Sequence, residues 1–324
     1  MPTPTRPLRT ALLLVLLTVF CAPGAAAGDA GLFLWEARSD QATVYLLGSM
    51  HAAKPDLYPL DRAIIEAWNA SPALVVEVNL NDVDMMALQA KLLERGMYGP
   101  EETLKESVSA ETWGLLETYL DDRGMSAAGF SSMRPWFLAM IFTVTEMAKS
   151  GYQEDLGIDR YFLNLASSGG KPVLELESGD FQLDLLSGFD EKLQELFLVS
   201  TLREIDDFDA HMGQLVDAWK AGDTAAMEKL FTETVREDKR LAPLMEKMIF
   251  ERNVTMAEKI AGFLRDGRSC FVVVGAGHLA GKRSVVDLLE TMDGAAWKVR
   301  RVAPLGPAAP EPVSSEVEPA PAVP

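Results

Sequence analysis

Ser269-Cys-Phe-Val-Val-Val-Gly-Ala-Gly-His278-Leu-Ala-Gly281 is an apolar run of strand length that gives way to small residues with a histidine set among them. Ala42-Thr-Val-Tyr-Leu-Leu-Gly48-Ser-Met-His51 repeats the plan: an apolar run, a glycine, and a histidine three residues on. The chain has three histidines, and two of them occupy this position. A histidine just past the carboxyl end of a strand lies where open α/β sheets place their ligands, because the strand ends leave a crevice there. A glycine three residues earlier lets the backbone turn sharply or approach a neighbour closely. Gly48 and Gly275 are therefore expected to aim His51 and His278 into one crevice if the two strands are parallel neighbours. Antiparallel strands would put the imidazoles at opposite ends.

Phe33-Leu-Trp-Glu-Ala and Thr43-Val-Tyr-Leu-Leu read as a hairpin turning at Arg38-Ser-Asp-Gln41. Leu60 to Asn69 has helical character, and Ala73-Leu-Val-Val-Glu77-Val is an apolar strand interrupted by one carboxylate. Asn81 is expected to cap a helix from Asp82 to Arg95 that Gly96 ends, and a second helix runs from Ala110 to Asp122. Pro135 to Ala148 is apolar nearly all round but too short for a membrane span, which predicts a buried core helix. Leu156-Gly-Ile-Asp159 opens another helix that Gly169-Gly170 ends, and Pro172-Val-Leu-Glu-Leu-Glu177 is strand-like. Glu191 to Arg265 is almost wholly helical in pattern, with breaks near Gly222-Asp223 and Pro243. A helix from Arg283 to Met292 and a strand from Trp297 to Val302 follow. Strands at both ends thus enclose a helical middle, which predicts an α/β (or α+β) fold with a mixed sheet drawn from both termini.

Acidic residues outnumber basic ones by 48 to 30, so nucleic acid and anionic lipid are not expected as partners. Arg6 and Arg9, the apolar Ala11 to Phe20 and then Ala25-Ala26-Ala27 read as a secretory signal over residues 1–27, which predicts export to a periplasmic or extracellular space. An apolar core of about ten residues falls short of the roughly 20 that span a bilayer, so no membrane anchor remains after its removal. Phe20 argues against lipidation at Cys21, and Cys270 is then the sole remaining cysteine. One domain is expected over residues 28–303. From Pro304 to residue 324, Pro, Ala, Glu and Val without periodicity predict a disordered, dispensable tail.

Two neutral imidazoles, His51 and His278, with a carboxylate from a third strand, Glu77, would supply a facial set of three ligands for a divalent metal. The plainer alternative puts Glu77 at an exposed strand end or in an ion pair with an arginine. Glu77→Gln separates the two: loss of activity in an intact fold for a site residue, destabilisation of roughly 3–5 kcal/mol for a buried structural pair. Other chemistries are disfavoured. The glycine cluster ending at Gly281 has the wrong last gap for a dinucleotide fingerprint and lacks the acidic partner, no Gly-x-Ser-x-Gly elbow exists, and His-Glu-x-x-His is absent. His211, on a helix crowded with acids, reads as part of a solvated face. Of Glu175 and Glu177, one should face the crevice and the other solvent. Arg252-Asn253 either contact the site or cap a packing interface.

At these residues the chain resembles the TraB/GumN family, which also includes the animal Tiki proteases. The resemblance spans Phe33 to Val302. It is carried by Leu46-Leu-Gly-Ser-Met-His51, Val75-Val-Glu-Val78, Arg134-Pro-Trp136, Leu156-Gly-Ile-Asp159, Lys171-Pro-Val-Leu-Glu-Leu-Glu177 with Gln182, Glu251-Arg-Asn253 and Val274-Gly-Ala-Gly-His-Leu-Ala-Gly281. Ser49-Met50 and Glu175 depart from the usual family residues. The resemblance implies a metal-dependent hydrolase whose active site is the GxxH pair with an acidic partner. Tiki proteins are similar and are peptidases that prefer manganese or cobalt, whereas erythromycin esterases resemble the superfamily and act through His and Glu without metal, and ChaN-like members bind haem.

Three functions fit these residues. In the first, an exported metallopeptidase uses manganese, cobalt or zinc, with His51 and His278 as ligands and Glu77 as ligand or general base; Glu177 and Arg252 act behind them or on the transition state. In the second, an esterase-like hydrolase works without metal, one histidine being the base that Glu77 orients. In the third, the protein binds a peptide or haem without reaction. The substrate expected of either enzyme is a peptide or a small ester or amide.

Overall fold

The computed structural model describes residues 31–294 and 296–308. The segment carrying the expected signal, Cys21 included, lies outside them, as do residues 309–324 of the expected tail. The fold is mixed α/β. Its six strands are β1 (Leu34–Arg38), β2 (Thr43–Ser49), β3 (Leu74–Val76), β4 (Val173–Glu175), β5 (Cys270–Gly275) and β6 (Lys298–Arg301), in the sheet order β4-β3-β5-β2-β1-β6.

The expected hairpin forms: β1 pairs antiparallel with β2, closed by the Ser39 N–H to the Ala42 carbonyl at 3.0 Å. β6 pairs antiparallel with β1 at the far edge. The centre is parallel. β2 runs alongside β5 with Ser49 opposite Gly275, β5 alongside β3, and β3 alongside β4. Parallel strands need covered faces, and all six residues of β5 are buried. Over one face, Trp68 of the helix Arg62–Ala70 and Phe162 of the helix Ile158–Gly169 meet Phe271 of β5, with ring centroids 4.8 to 5.8 Å apart. The helix Glu251–Arg265 packs on β2 and on the helix Val285–Thr291.

Most of the helical reading holds, and the differences have local causes. The first helix past β3 spans Met85–Gly96, not Asp82 to Arg95, because Asp84 is the capping residue: its carboxylate accepts from the Met86 and Ala87 N–H groups at 3.0 Å. Gly96 is still helical. Pro135–Lys149 is a core helix whose Trp136 and Leu138 are fully buried. The helical middle breaks at Gly222, which adopts the left-handed conformation, and around Pro243, after which Glu246–Phe250 forms a π-helical turn. Among the described residues no helix is long and apolar enough to cross a membrane.

The expectation that order ends before Pro304 needs correcting. Asp61, which caps Arg62–Ala70 through the Ala63 N–H, also accepts from the N–H groups of Leu305 and Gly306 at 3.0 and 2.8 Å. The Gly306 carbonyl accepts from Arg62, and Ala308 donates to Leu60. Composition could not reveal this, since the acceptor is one aspartate more than 240 positions away. Each such bond contributes roughly 0.5–1.5 kcal/mol. Truncation after Pro304 removes all four and should therefore lower the stability measured by urea denaturation by about 2–6 kcal/mol relative to truncation after Ala308; equal midpoints would show that residues 305–308 contribute nothing.

Candidate functional site

The parallel register brings the carboxyl ends of β2, β5, β3 and β4 to one edge, and the singled-out residues lie just beyond it. His51 follows Ser49, His278 ends the short turn Ala276–His278 after β5, and Glu77 comes directly after Val76. Glu77 is thus past the strand's end and not inside it, yet it is buried, not exposed. Both histidines point their Nε2 atoms at one oxygen: Glu77 Oε1 is 4.0 Å from His51 Nε2 and 3.9 Å from His278 Nε2. That oxygen also accepts the Gly275 N–H at 2.7 Å. A Cβ on Gly275 would stand 3.1 Å from His51 Nε2 and 3.4 Å from Glu77 Oε1, so the motif glycine is needed for close approach.

Glu77 forms the ion pair with an arginine that the plainer alternative expected. Its other oxygen, Oε2, pairs with Arg252 Nη2 at 2.6 Å and accepts from Gln182 Nε2 at 3.2 Å. Arg252 is itself 2% exposed. It grips Glu177 with two parallel bonds, Nε to Oε1 and Nη2 to Oε2, both 2.8 Å, and Nη1 donates to the Met248 carbonyl of the preceding π-helical turn. Gln182 closes the cluster by donating to Glu177 Oε2 at 2.9 Å. Glu177 is the carboxylate that faces inward, whereas Glu175 is exposed and accepts from the Asn79 N–H.

A second layer fixes the rings. Asn253 Oδ1 lies 2.6 Å from His278 Nδ1, and Asp159 Oδ1 lies 3.2 Å from His51 Nδ1. Asp159 also accepts from the Ser49 hydroxyl at 2.8 Å. Its part went unread in the sequence because an acid in a helix's first turn ordinarily complements the helix dipole. The available signal was Gly157: a Cβ there would run into the His51 carbonyl, and Ile158 N–H donates to the Met50 carbonyl, so the Gly-Ile-Asp stretch is pressed against the histidine. Gln182, noted in sequence only as a landmark, proves to bridge two glutamates. His211 is half-buried on the helix Phe208–Ala221, not on a fully solvated face, and burial lowers its pKa. Cys270 is a free thiol buried in β5, where burial pushes its pKa to about 12.

The electrostatics follow from burial and neighbours. Burial opposes ionisation of Glu77, but Arg252, both histidines and the Gly275 N–H outweigh it and hold its carboxyl down to about 2. Burial, with Arg252 nearby, depresses His278 to about 3, so that ring is neutral. Burial also works against a charge on His51, yet Asp159 and Glu77 overcome it and raise its pKa. Three carboxylates, Glu77, Glu177 and Asp159, thus stand against one guanidinium.

Whether this set suits a metal turns on its lone pairs. With each Nδ1 proton committed to an acceptor, both Nε2 atoms carry lone pairs, and Glu77 Oε1 keeps one beyond the bond from Gly275. Three acceptors then face one point, where a water has only two protons to give and a cation satisfies all three. The chemistry fits. Among the described residues no three His, Cys, Asp or Glu side chains already stand at the spacing of a closed metal site, and the Nε2 to Oε1 separations exceed a zinc tetrahedron's edge by about half an ångström.

At the parallel carboxyl edge of the sheet, two histidines thus meet a buried glutamate paired with an arginine. The chain belongs to the TraB/PrgY/gumN family, whose sequence pattern matches residues 33–294. It is similar to the uncharacterized protein YbaP of Escherichia coli (strain K12), 26% identical over 245 residues covering 76% of this chain and 87% of YbaP, and to YbaP of Shigella flexneri at the same identity and coverage. An uncharacterized protein of Treponema pallidum (strain Nichols) is 25% identical over 270 residues, 79% of each chain. No solved structure matches.

Glu77 and His278 both have folded-state pKa values below their ordinary ones, so these two groups bind fewer protons in the folded protein than in the unfolded chain between pH 6.5 and 2. The stability they contribute is present above that window and is lost as pH falls through it. Glu77→Gln should flatten the acid limb of stability against pH. At pH 7 it should cost about 1–3 kcal/mol, less than a fully broken buried pair, because Arg252 keeps Glu177. An acid limb identical to that of the natural chain in urea titrations would refute the assignment.

Proposed function

We propose that this protein is an exported metal-dependent hydrolase acting on peptides. The observation that carries the reading is the convergence of two imidazole Nε2 atoms on Glu77 Oε1, with each Nδ1 already facing an acceptor. His51, His278 and Glu77 would hold the ion, manganese, cobalt or zinc. When bound, such an ion lowers the pKa of a water toward about 7 and polarises a carbonyl. The chain's own residues do the rest. Arg252 and Gln182 occupy Glu77 Oε2, so that Oε1 is the face presented to the crevice. Glu177 holds Arg252 in place and balances its charge. The excess of carboxylate over guanidinium favours a cation at the point where the acceptors meet. Export rests on the N-terminal signal pattern.

One observation favours a second reading. Asp159 behind His51 is the arrangement of a general base held by an orienting carboxylate, which would serve a metal-independent esterase-like hydrolase. A protonated His51 would also bring a donor to the other two acceptors, Glu77 Oε1 and His278 Nε2.

The experiment is purification without a histidine tag, elemental analysis, and hydrolysis of a peptide library and matched esters with and without chelator and added manganese. Metal-restored peptide cleavage is expected, falling at least about 10²-fold in His51→Ala and His278→Ala. Full activity in chelator selects the second reading. Folded, metal-loaded protein that cleaves nothing overturns both and leaves a peptide- or haem-binding protein.

A further inference from the structure

Arg283 is the one non-glycine residue with a positive φ, 60°, among the described residues. A left-handed conformation costs an L-residue roughly 1 kcal/mol or more, so something must hold it. Its N–H donates to Asp287 Oδ2 at 2.8 Å, its guanidinium binds both Glu246 oxygens at 2.6 and 2.7 Å, and the same group lies 4.2 Å over the Phe250 ring. Glu246 and Phe250 begin and end the π-helical turn that precedes Arg252 and Asn253. What the strained conformation delivers is its carbonyl, which accepts from Asn253 Nδ2 at 2.8 Å.

That bond settles which way the Asn253 amide faces. Asn253 is wholly buried, and with Nδ2 taken by Arg283 the atom turned to the histidine is Oδ1, 2.6 Å from His278 Nδ1. An amide oxygen only accepts. In the neutral ring the single proton must then sit on Nδ1, and Nε2 carries a bare lone pair toward Glu77 Oε1. The opposite tautomer would set two lone pairs against each other at 2.6 Å, and its Nε2 proton would face an oxygen 3.9 Å away, beyond hydrogen-bond reach.

We infer that Asn253 and the left-handed backbone of Arg283 form a positioning chain that holds His278 as its Nδ1–H tautomer. Asn253 touches no reacting atom; it acts through the ring, and Arg283 acts through Asn253. The effect on catalysis rests on the hydrolase reading above. The tautomer itself does not, because the contacts of Asn253 with Arg283 and His278 alone fix it.

The test is long-range proton–nitrogen correlation NMR on the metal-free full chain labelled with ¹⁵N-histidine, at alkaline pH where the rings are neutral. With three histidines in the chain, His51→Asn and His211→Asn complete the assignment. His278 is expected as Nδ1–H in the natural chain. Asn253→Ala should convert it to mainly Nε2–H, while Asn253→Asp, which still accepts at Nδ1, should restore Nδ1–H. If Asn253→Ala does not fold, Asn253→Leu, which keeps the volume, takes its place. An Nε2–H ring in the natural chain overturns the inference, and so does an Nδ1–H ring that persists in the folded Ala or Leu variant. Loss of all hydrolysis with the tautomer as stated would count against the proposed function alone.

Discussion

Two carboxylates and a guanidinium withdrawn from water are the constraint on which the site depends. Removing each ion from solvent costs several kcal/mol even after relaxation, and an apolar replacement of similar volume is often as stable or more so. The Glu77–Arg252–Glu177 cluster meets that cost by geometry: a double-bonded Arg252–Glu177 fork, a Gln182 amide shared between both acids, a backbone N–H from Gly275 and a carbonyl from Met248. Stability alone gives no reason to bury such a cluster. Its product is a glutamate whose Oε2 is fully engaged and whose Oε1 looks outward to two imidazoles.

The sheet supplies the second half of the arrangement. Because β2, β5 and β3 are parallel neighbours, their carboxyl ends coincide, and short offsets past Ser49, Gly275 and Val76 place three side chains around one point. A one-residue shift in any pairing would turn a side chain to the other face of its strand. The close packing around Gly275 and Gly157 leaves little freedom for such a shift, since a single added carbon at either place meets the site's own atoms.

Around the rings a further layer separates two otherwise similar histidines. His51 is backed by a carboxylate and raised in pKa; His278 is backed by an amide and depressed by burial. Matched motifs in sequence thus become unlike groups in space. A ring that keeps a lone pair and a ring that can take a proton are a more versatile pair than two equal ones.

Much was legible from the chain alone, for local reasons. Apolar runs ending in glycine marked β2 and β5, strand-rich ends around a helical middle predicted the mixed α/β sheet, and the repeated Gly-x-x-His pattern singled out His51 and His278. Those signals are short-range and survive in one dimension. Tertiary structure alone decided what depends on distance: that β2 and β5 are parallel neighbours, that Glu77 is both paired with Arg252 and turned to the histidines, that Asp159 and Asn253 hold the rings, and that Asp61 captures Leu305 and Gly306. A carboxylate reads the same in sequence whether it meets water, a helix dipole or an imidazole. Only the fold, by bringing residues some 25 to 245 positions apart within hydrogen-bond reach and excluding solvent around the ring and ion-pair contacts, determines which of these it is.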